Sequence, residues 1–401
     1  MRDRPERALL GVTLGHAIHD CWYGLTPVLL AALSNDMRLS NADIALILLL
    51  YQGVSSITQP FFGRLSERIG GRPLAVASIL WTTLVFSGVI LTHSKLVIML
   101  CVGLAGFGSG AWHPQGAANA TISGGARWGA TAAAIFFLGG TLGNAVLGAA
   151  LGGFLLDTLG RPALFLLSGL TVVSALTIVR TMVPRWVNVP KSEPALRARA
   201  ANGAEARAFW LLLILLLIGT ALRRTAAESL QIFFSKYQQD LGMTPSLYGL
   251  ITSLYMITTA VGGVLGSFIA DRIGLRRTLA GTIILTAILL YGFVRTDGLA
   301  SHAFYALSGL FMGPSHTLFM VAGQRQFPQR MAMVTGVFLG FSFVSGAVGA
   351  WLVGIAADSV GLYTMFATFP WMMIASAALA YLALPRRAQQ QVVQQEPSAT
   401  A

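Results

Sequence analysis

The stretch GRLSERIGGR, residues 63–72, decides how the whole chain is interpreted, because a related stretch, SFIADRIGLR, occurs at residues 267–276. The two copies align at a constant offset of 204 residues. A second pair, DTLGR at 157–161 and DSVGL at 358–362, aligns at an offset of 201. Similarity at a nearly constant spacing is typical of a duplicated structural unit. The sequence therefore predicts a chain of two similar halves.

Composition places these halves in a membrane. Hydrophobic residues make up 55% of the 401-residue chain and charged residues only 10%, whereas a soluble domain carries about 25% charged residues. Apolar runs long enough to cross a bilayer recur along the whole length, which predicts an all-α, polytopic membrane protein with twelve transmembrane helices. The predicted spans are 8–33, 43–63, 73–92, 96–120, 130–156, 162–183, 208–235, 246–266, 277–295, 299–322, 333–356 and 362–384.

The spans group into two six-helix bundles. Residues 1–183 form the first bundle and residues 208–385 the second. Between them, the stretch 184–207 is rich in proline and charge and lacks hydrophobic periodicity, so we expect a cytoplasmic linker. The polar, glutamine-rich tail 386–401 is expected to be disordered.

The basic residues predict the orientation of the chain. Most of its 27 lysines and arginines lie in the N-terminus, alternate short loops, the linker and the tail. Under the positive-inside rule this face is cytoplasmic, so both termini are expected inside the cell inner (plasma) membrane. The net charge of +12 is explained by this asymmetry, and nucleic-acid binding is excluded. The basic residues on the opposite face are Arg38, Lys95, Arg161, Lys236 and Arg295.

The repeated loop resembles a known motif. GRLSERIGGR is similar to the signature loop between the second and third helices of the major facilitator superfamily, Gly-x-Leu-Ala-Asp-Arg-x-Gly-Arg-Arg. The resemblance implies two pseudo-symmetric six-helix bundles and a transport function. It also implies that the loop residues hold neighbouring cytoplasmic helix ends together in one state of the cycle, although they could simply be topology signals. These residues are Gly63, Glu67, Arg68, Arg72, Asp271, Arg272 and Arg276.

A narrower resemblance is to the fosmidomycin-resistance family. That family shows His-x-x-Asn-Asp in the first helix, where this chain has His19, and His-Pro-Glu in the fourth, where this chain has Gln115. The glycine-rich fifth span is similar to an antiporter motif that normally has Gly-Pro, but here Gly143 precedes Asn144; close helix packing is the simpler explanation. The motifs that carry the resemblance are HAIHD (16–20), QPFFG (59–63), WHPQG (112–116), SGGARWG (123–129) and GGTLGN (139–144).

The stretch GHAIHDCWYGLTP, residues 15–27, places ionisable side chains within the first span. His16, Asp20 and Tyr23 share one helical face by i, i+4, i+7 spacing, and His19 is adjacent. A carboxylate at the bilayer centre costs about 2.5–3.5 kcal/mol, so it is expected to face a cavity or a charged partner. We predict that this face binds substrate or protons.

The seventh span carries the matching charges. Arg223 and Arg224 lie at mid-depth, and Glu228 shares a face with Arg224. The first and seventh helices of the superfamily line opposite walls of a central cavity. We therefore expect Asp20, Arg223, Arg224 and Glu228 to meet there, with an arginine holding an anionic group and either carboxylate carrying the proton. The alternative is a static charge cluster that fixes helix packing.

His113 and Gln115 of the fourth span complete the candidate substrate and proton site. His113 follows the resemblance, although a buried histidine is also commonly just a hydrogen-bonded structural residue. The six histidines show no metal-ligand spacing, so no metal is predicted. The sequence also shows no nucleophile–base pair and no nucleotide motif, and we expect neither enzymatic activity nor a cofactor.

Together these features predict a secondary active transporter. The favoured function is proton-coupled efflux of a small organic compound or drug, as an antiporter, by alternating access. Uptake of an anionic nutrient by proton symport is the alternative, and a non-transporting membrane sensor is a remote one. The expected partners are a small-molecule substrate, protons and the lipid bilayer, and the expected state is a monomer.

Overall fold

The computed structural model describes residues 5–185, 203–326 and 331–384. In these ranges the chain is helical, with short turns and no β-strand. Most of the predicted linker and the predicted tail lie outside the described residues. The all-α expectation is therefore confirmed for the part of the chain that carries the apolar runs.

Twelve helices follow the predicted spans, and several extend beyond them because polar first and last turns continue the backbone hydrogen bonding past the apolar run. The fourth and fifth belong to one continuous helical run that breaks at Gly125, where the backbone leaves helical geometry (φ 59°, ψ −165°). The helices are α1 (Pro5–Leu33), α2 (Asn41–Ile69), α3 (Gly71–Leu91), α4 (Lys95–Gly125), α5 (Thr131–Leu159), α6 (Arg161–Met182), α7 (Gly203–Asp240), α8 (Pro245–Ile273), α9 (Leu275–Arg295), α10 (Gly298–Gln326), α11 (Met331–Val360) and α12 (Leu362–Ala383).

The repeated motif has a conformational cause. Gly70 separates α2 from α3 with φ 94°, and Gly274 separates α8 from α9 with φ 98°. Residues with a Cβ avoid this half of φ space, so a tight helix–helix turn of this kind favours glycine in both copies. The positive φ therefore explains the aligned glycines Gly70 and Gly274.

Most of the helices are long and apolar enough to cross a bilayer. Among the described residues, ten meet this standard by length and composition. The two others are α1 and α10, whose polar residues lower their hydropathy. Large apolar side chains such as Ile57, Leu84 and Leu299 are exposed on the protein surface, as lipid-facing residues are.

Contacts divide the chain into two compact units. Unit 1 contains Met1–Ser192, Glu228–Ile257 and Ala350–Leu362. Unit 2 contains Glu193–Ala227, Thr258–Gly349 and Tyr363–Ala401. The domain boundaries that the sequence predicts remain a prediction.

Within unit 1, α5 packs closely along α1. A Cβ on Gly143 would lie 2.0 Å from the carbonyl oxygen of Ala17, and one on Gly148 would lie 2.4 Å from that of Cys21. Residues Gly143–Leu151 form a π-helical segment at this contact. Small residues let the two backbones approach, which brings α5 against the ionisable face of α1.

The turn between α1 and α2 contains a non-glycine residue with positive φ, whereas the corresponding turn between α7 and α8 has glycine at the equivalent position. Arg38 has φ 49°, and Gly242, which lies 204 residues later, has φ 83°. An L-residue in the left-handed region costs roughly 1–2 kcal/mol, while glycine costs about 0.5–1 kcal/mol through the greater freedom of the unfolded chain.

We expect Arg38→Gly to raise the apparent Tm of purified protein. Arg38→Ala, which removes the charge but keeps the strain, should leave the Tm unchanged; an equal rise in both variants would contradict this explanation.

Candidate functional site

Four side chains on α1 and α4 form a histidine–aspartate cluster: His16, His19, Asp20 and His113. His16 Nε2 lies 3.1 Å from Asp20 Oδ2 and 3.2 Å from His113 Nε2. His19 Nδ1 lies 3.0 Å from the other carboxylate oxygen, Oδ1. The i, i+4 spacing of His16 and Asp20 produces the first contact, and helix packing produces the contact with His113.

Backbone carbonyls determine which nitrogens carry protons. His16 Nδ1 lies 2.8 Å from the carbonyl oxygen of Phe136, and His113 Nδ1 lies 2.9 Å from that of Ser109. A carbonyl can only accept, so both Nδ1 atoms are donors. In the neutral form of either ring, Nε2 carries no proton and is therefore an acceptor.

Because both Nδ1 atoms are donors, the acceptor atoms of the cluster point toward one another. With both rings neutral, two lone pairs of His16 and His113 face each other at 3.2 Å, beside the Asp20 carboxylate. This arrangement is repulsive until a cation binds among the three groups. One proton on an Nε2 atom converts it into a donor toward both neighbours and creates an imidazolium beside the carboxylate.

Aromatic side chains enclose the cluster. The His16 ring stacks on Phe136 with a centroid distance of 4.0 Å, and the His19 ring stacks on Trp112 at 5.7 Å. Trp112 and Phe136 also belong to the apolar core of the first six helices, and both are fully buried. The histidines thus have little freedom to change orientation.

The remaining α1 candidate, Tyr23, belongs to a separate network in unit 1. Its hydroxyl donates to Glu228 Oε1 over 2.9 Å. Gln52 of α2 donates to the same carboxylate oxygen at 2.6 Å and to the Tyr23 hydroxyl at 2.8 Å. Glu228 is buried, and these two donors supply the hydrogen bonds that its carboxylate would otherwise make to water.

The two arginines lie in unit 2. Arg223 is buried and donates through Nη1 to Ser315 Oγ at 2.9 Å. Arg224 donates through Nε to the carbonyl oxygen of Ser342 at 3.2 Å and lies over the Phe343 ring. Both guanidinium groups are therefore held by α10 and α11. Their predicted meeting with Asp20 stays a prediction.

Gln115 is fully buried and contacts its own helix. Its side-chain oxygen accepts from Asn119 Nδ2 at 3.2 Å. Among the described residues, it makes no hydrogen bond to the histidine–aspartate cluster. Its suggested place in the proton site therefore has no support from a direct contact.

The first copy of the repeated loop contacts its own half. Arg72 donates through Nε to the carbonyl oxygen of Val183, at the end of α6. A Cβ on Gly63 would lie 3.6 Å from Pro114, while Glu67 and Arg68 are exposed. In the second copy, both arginines lie over aromatic rings. Arg272 lies 4.1 Å from the centroid of Phe268, and Arg276 lies 3.7 Å from that of Tyr381. Asp271 is exposed.

Sequence reasoning missed several partners of these groups. Ser109, Phe136, Thr82 and Gln52 each contact a candidate residue, and no pattern in the sequence marks them. His16, Asp20 and His113, which the sequence predicts in one site without metal-ligand spacing, bring ligand-type atoms within 4.8 Å of one another. Spacing along the chain cannot show such a grouping, since it forms between two helices.

Comparison with known proteins identifies the family. Residues 12–222 and 216–399 match the model of the Major Facilitator Superfamily. The chain belongs to this superfamily. The fosmidomycin resistance protein of Escherichia coli K12 is 25% identical over 378 residues, covering 90% of this chain and 89% of that protein. The predicted fold class and the resemblance to the fosmidomycin-resistance family are both confirmed.

Other Major Facilitator Superfamily proteins are similar over most of their length. The uncharacterized transporter YfnC of Bacillus subtilis 168 is 25% identical, covering 89% of this chain and 88% of that protein. The multidrug resistance protein MdtG of Dickeya zeae is 24% identical, covering 84% of each. Relatives of this superfamily member thus include proteins named for drug resistance.

Solved structures show the same fold. A bacterial homologue of the human lysosomal transporter Spinster, in an inward-facing unoccupied conformation, superposes with a TM-score of 0.73 at 17% identity and covers all of both chains. The nucleoside transporter NupG has a TM-score of 0.72 at 14% identity, covering 96% of this chain and all of that one. As a superfamily member, this chain is a multi-pass membrane transporter of small molecules.

Gly140 offers a direct test of how tightly His16 is held. A Cβ on Gly140 would lie 2.5 Å from His16 Nε2, and overpacking a buried site typically costs about 1–3 kcal/mol. We expect Gly140→Ala to lower the apparent Tm and to reduce transport by displacing the ring. Gly169→Ala is the matched control, because apart from its chain neighbours and the adjacent backbone of its own helix, no atom lies within 4 Å of its Cβ position. Equal behaviour of the two variants would show that His16 is free to move.

Proposed function

We propose that this protein is a proton-coupled exporter of a small organic compound in the inner membrane, working by alternating access. The observation that carries the proposal is the convergence of three acceptor atoms, His16 Nε2, His113 Nε2 and an Asp20 oxygen, at 3.1–3.2 Å around His16. Three converging acceptor atoms can bind and release one cation. The cation that we assign to it is a proton.

The proton has a stabilising position in the cluster. On His16 Nε2, it is donated to Asp20 Oδ2 or to His113 Nε2, and the carboxylate balances the new positive charge. His19 adds a hydrogen bond to Asp20 Oδ1 and keeps the carboxylate in place. Loss of the proton restores the facing lone pairs, so the two protonation states favour different separations of α1 and α4.

Exposure defines an entry route. The His113 side chain is 26% exposed, that of Asp20 is 12% exposed and that of His16 is 2% exposed. Solvent therefore reaches His113 first, and its Nε2 lies within hydrogen-bonding distance of His16 Nε2. We assign His113 the role of receiving the proton and His16 with Asp20 the role of holding it. Glu228, with Tyr23 and Gln52, is a second carboxylate near which substrate can bind.

The substrate assignment rests on the arginines. A guanidinium remains charged under all physiological conditions and binds carboxylate and phosphate groups through paired donors. Arg223 and Arg224 are consecutive residues of α7, and their contacts include the Ser315 hydroxyl and the Ser342 carbonyl oxygen. We infer a small organic substrate with an anionic group. Export is favoured over uptake because two relatives are named for resistance.

Substitution of Asp20 tests the proton site. We expect Asp20→Asn to abolish the dependence of transport on an imposed pH gradient, since hydrogen bonds to charged groups contribute about 1.5–3 kcal/mol and the amide cannot balance an imidazolium. Transport is measured in inverted vesicles with a fluorescent pH probe, using a panel of carboxylate and phosphonate compounds and a metal chelator throughout. Compound-driven proton release into the medium should disappear in the variant.

His93→Gln is the control for this experiment, because His93 is an exposed histidine between α3 and α4. It should retain the full response. An Asp20→Asn variant that loses thermal stability yet keeps the same dependence on the pH gradient would identify the cluster as a static packing element. Accumulation that requires a gradient of the opposite direction would identify an uptake symporter.

The arginine assignment is tested by ligand binding to the purified protein. Compounds that raise its Tm should be enriched in anionic groups, and Arg224→Gln should weaken their binding by about tenfold or more, as loss of a charged hydrogen bond implies. Arg295→Gln, at an exposed arginine that ends α9, should leave their affinity unchanged. A set of stabilising compounds made up of lipophilic cations alone would rule out an anionic substrate.

A further inference from the structure

Asp157 and Asp358, the aspartates of the repeated DTLGR and DSVGL motifs, are not used by the proposed proton or substrate sites. Asp358, near the end of α11, accepts backbone hydrogen bonds from Asn41 at 2.7 Å and from Ala42 at 3.1 Å. Asn41 and Ala42 are the first two residues of α2. The carboxylate of one half therefore caps the helix N-terminus of the other half.

Asp157, near the end of α5, makes the corresponding contact. Its carboxylate accepts hydrogen bonds from the side chain and backbone of Ser246 and from the side chain of Thr244. Thr244 directly precedes α8 and Ser246 is its second residue; Ser246 lies 204 residues after Ala42, as the repeat requires. The two capping contacts are thus pseudo-symmetric, and both lie within unit 1.

A glycine one turn before each aspartate repeats the same symmetry. A Cβ on Gly153 would lie 2.4 Å from the carbonyl oxygen of Pro245, and one on Gly354 would lie 2.8 Å from that of Asn41. Pro245 and Asn41 are the first residues of α8 and α2, and the two glycines are 201 residues apart, as the two aspartates are. Each contact therefore combines a charged cap with a backbone approach that has no room for a side chain.

The physical chemistry of these contacts makes them reversible. The first N–H groups of a helix have no partner within the helix, and its dipole favours a negative charge there. Both aspartates are exposed, so water can replace them when the helices separate. The same ends of α2 and α8 lie opposite to the Gly70 and Gly274 turns, on the face that the charge distribution predicts to be external.

We propose that Asp157 and Asp358, with Gly153 and Gly354, form a twin latch that holds the external ends of the two halves together and opens once in every transport cycle. Each half supplies one carboxylate and one capped helix. The strength of these contacts sets the ratio of the inward-open to the outward-open population. It goes beyond the proposed function, since it applies to any direction of transport and any coupling ion.

The test measures a distance and needs neither substrate nor a pH gradient. Spin labels are attached through Asn35→Cys and Leu241→Cys, two exposed positions in the external loops before α2 and α8, in protein whose Cys21 and Cys101 have been replaced by serine. Pulsed electron–electron double resonance in nanodiscs then reports the populations with short and long distances between the two labels. We expect the short separation to dominate in otherwise unsubstituted protein.

Asp157→Asn and Asp358→Asn should each raise the ratio of long to short separations by about two- to fivefold, the factor expected for one charge at a helix terminus. The double variant should show about the product of the two factors. Asp36→Asn, an exposed aspartate in the same external loop as Asn35, is the matched control and should leave the ratio unchanged. Identical distributions for the double variant and the unsubstituted latch would overturn the proposal.

Two measurements keep the test decisive if a variant folds poorly. Raising NaCl to about 1 M shortens the screening length to roughly 3 Å and should shift the intact latch toward long separations. Gly153→Ala, which places a methyl group against the Pro245 carbonyl, should shift it in the same direction, whereas Gly169→Ala should not. If neither salt nor Gly153→Ala changes the populations, these contacts do not control the opening.

Discussion

A charge inside a bilayer is stable only where other groups replace the water that it has lost, and this requirement dominates the first half of the molecule. Asp20 would cost several kcal/mol against lipid. Instead, it is surrounded by three imidazole rings, whose own donors are directed to backbone carbonyls and to the carboxylate. The packing of α4 and α5 against α1 follows from this need. The glycines of α5 bring its backbone close enough for the Phe136 carbonyl to accept from His16.

The same arrangement that stabilises Asp20 makes it responsive. The tautomers fixed by the backbone carbonyls direct lone pairs of neutral His16 and His113 at each other, and this repulsion is relieved when one ring is protonated. A fully satisfied network would lock the helices, and an unsatisfied one would destabilise them. In the proton-coupled mechanism that we propose, one mobile proton gives an intermediate case and links protonation to the separation of α1 and α4.

Duplication explains much of the remaining architecture. Gly70 and Gly274 make the same left-handed turn, and Asp157 and Asp358 cap equivalent helices. The halves differ in their ionisable residues within the helices: the first carries the histidine–aspartate cluster, and the second carries Arg223 and Arg224. Arg223 contacts Ser315 and Arg224 contacts Ser342, so these partners of both arginines also lie in the second half.

The sequence by itself determined the twelve helices, the duplicated turns and the identity of the ionisable residues, because apolar run length, glycine conformation and intramembrane charge are local properties. It also predicted that His16 and Asp20 share one helical face, which depends only on helical spacing. It could not show that His113 faces His16, that Gln52 joins Tyr23 to Glu228, or that Gln115 contacts Asn119. Those pairings were decided by the tertiary structure, since each depends on how one helix is rotated against another or on the rotamer of a buried side chain, and neither is encoded in the spacing of residues along the chain.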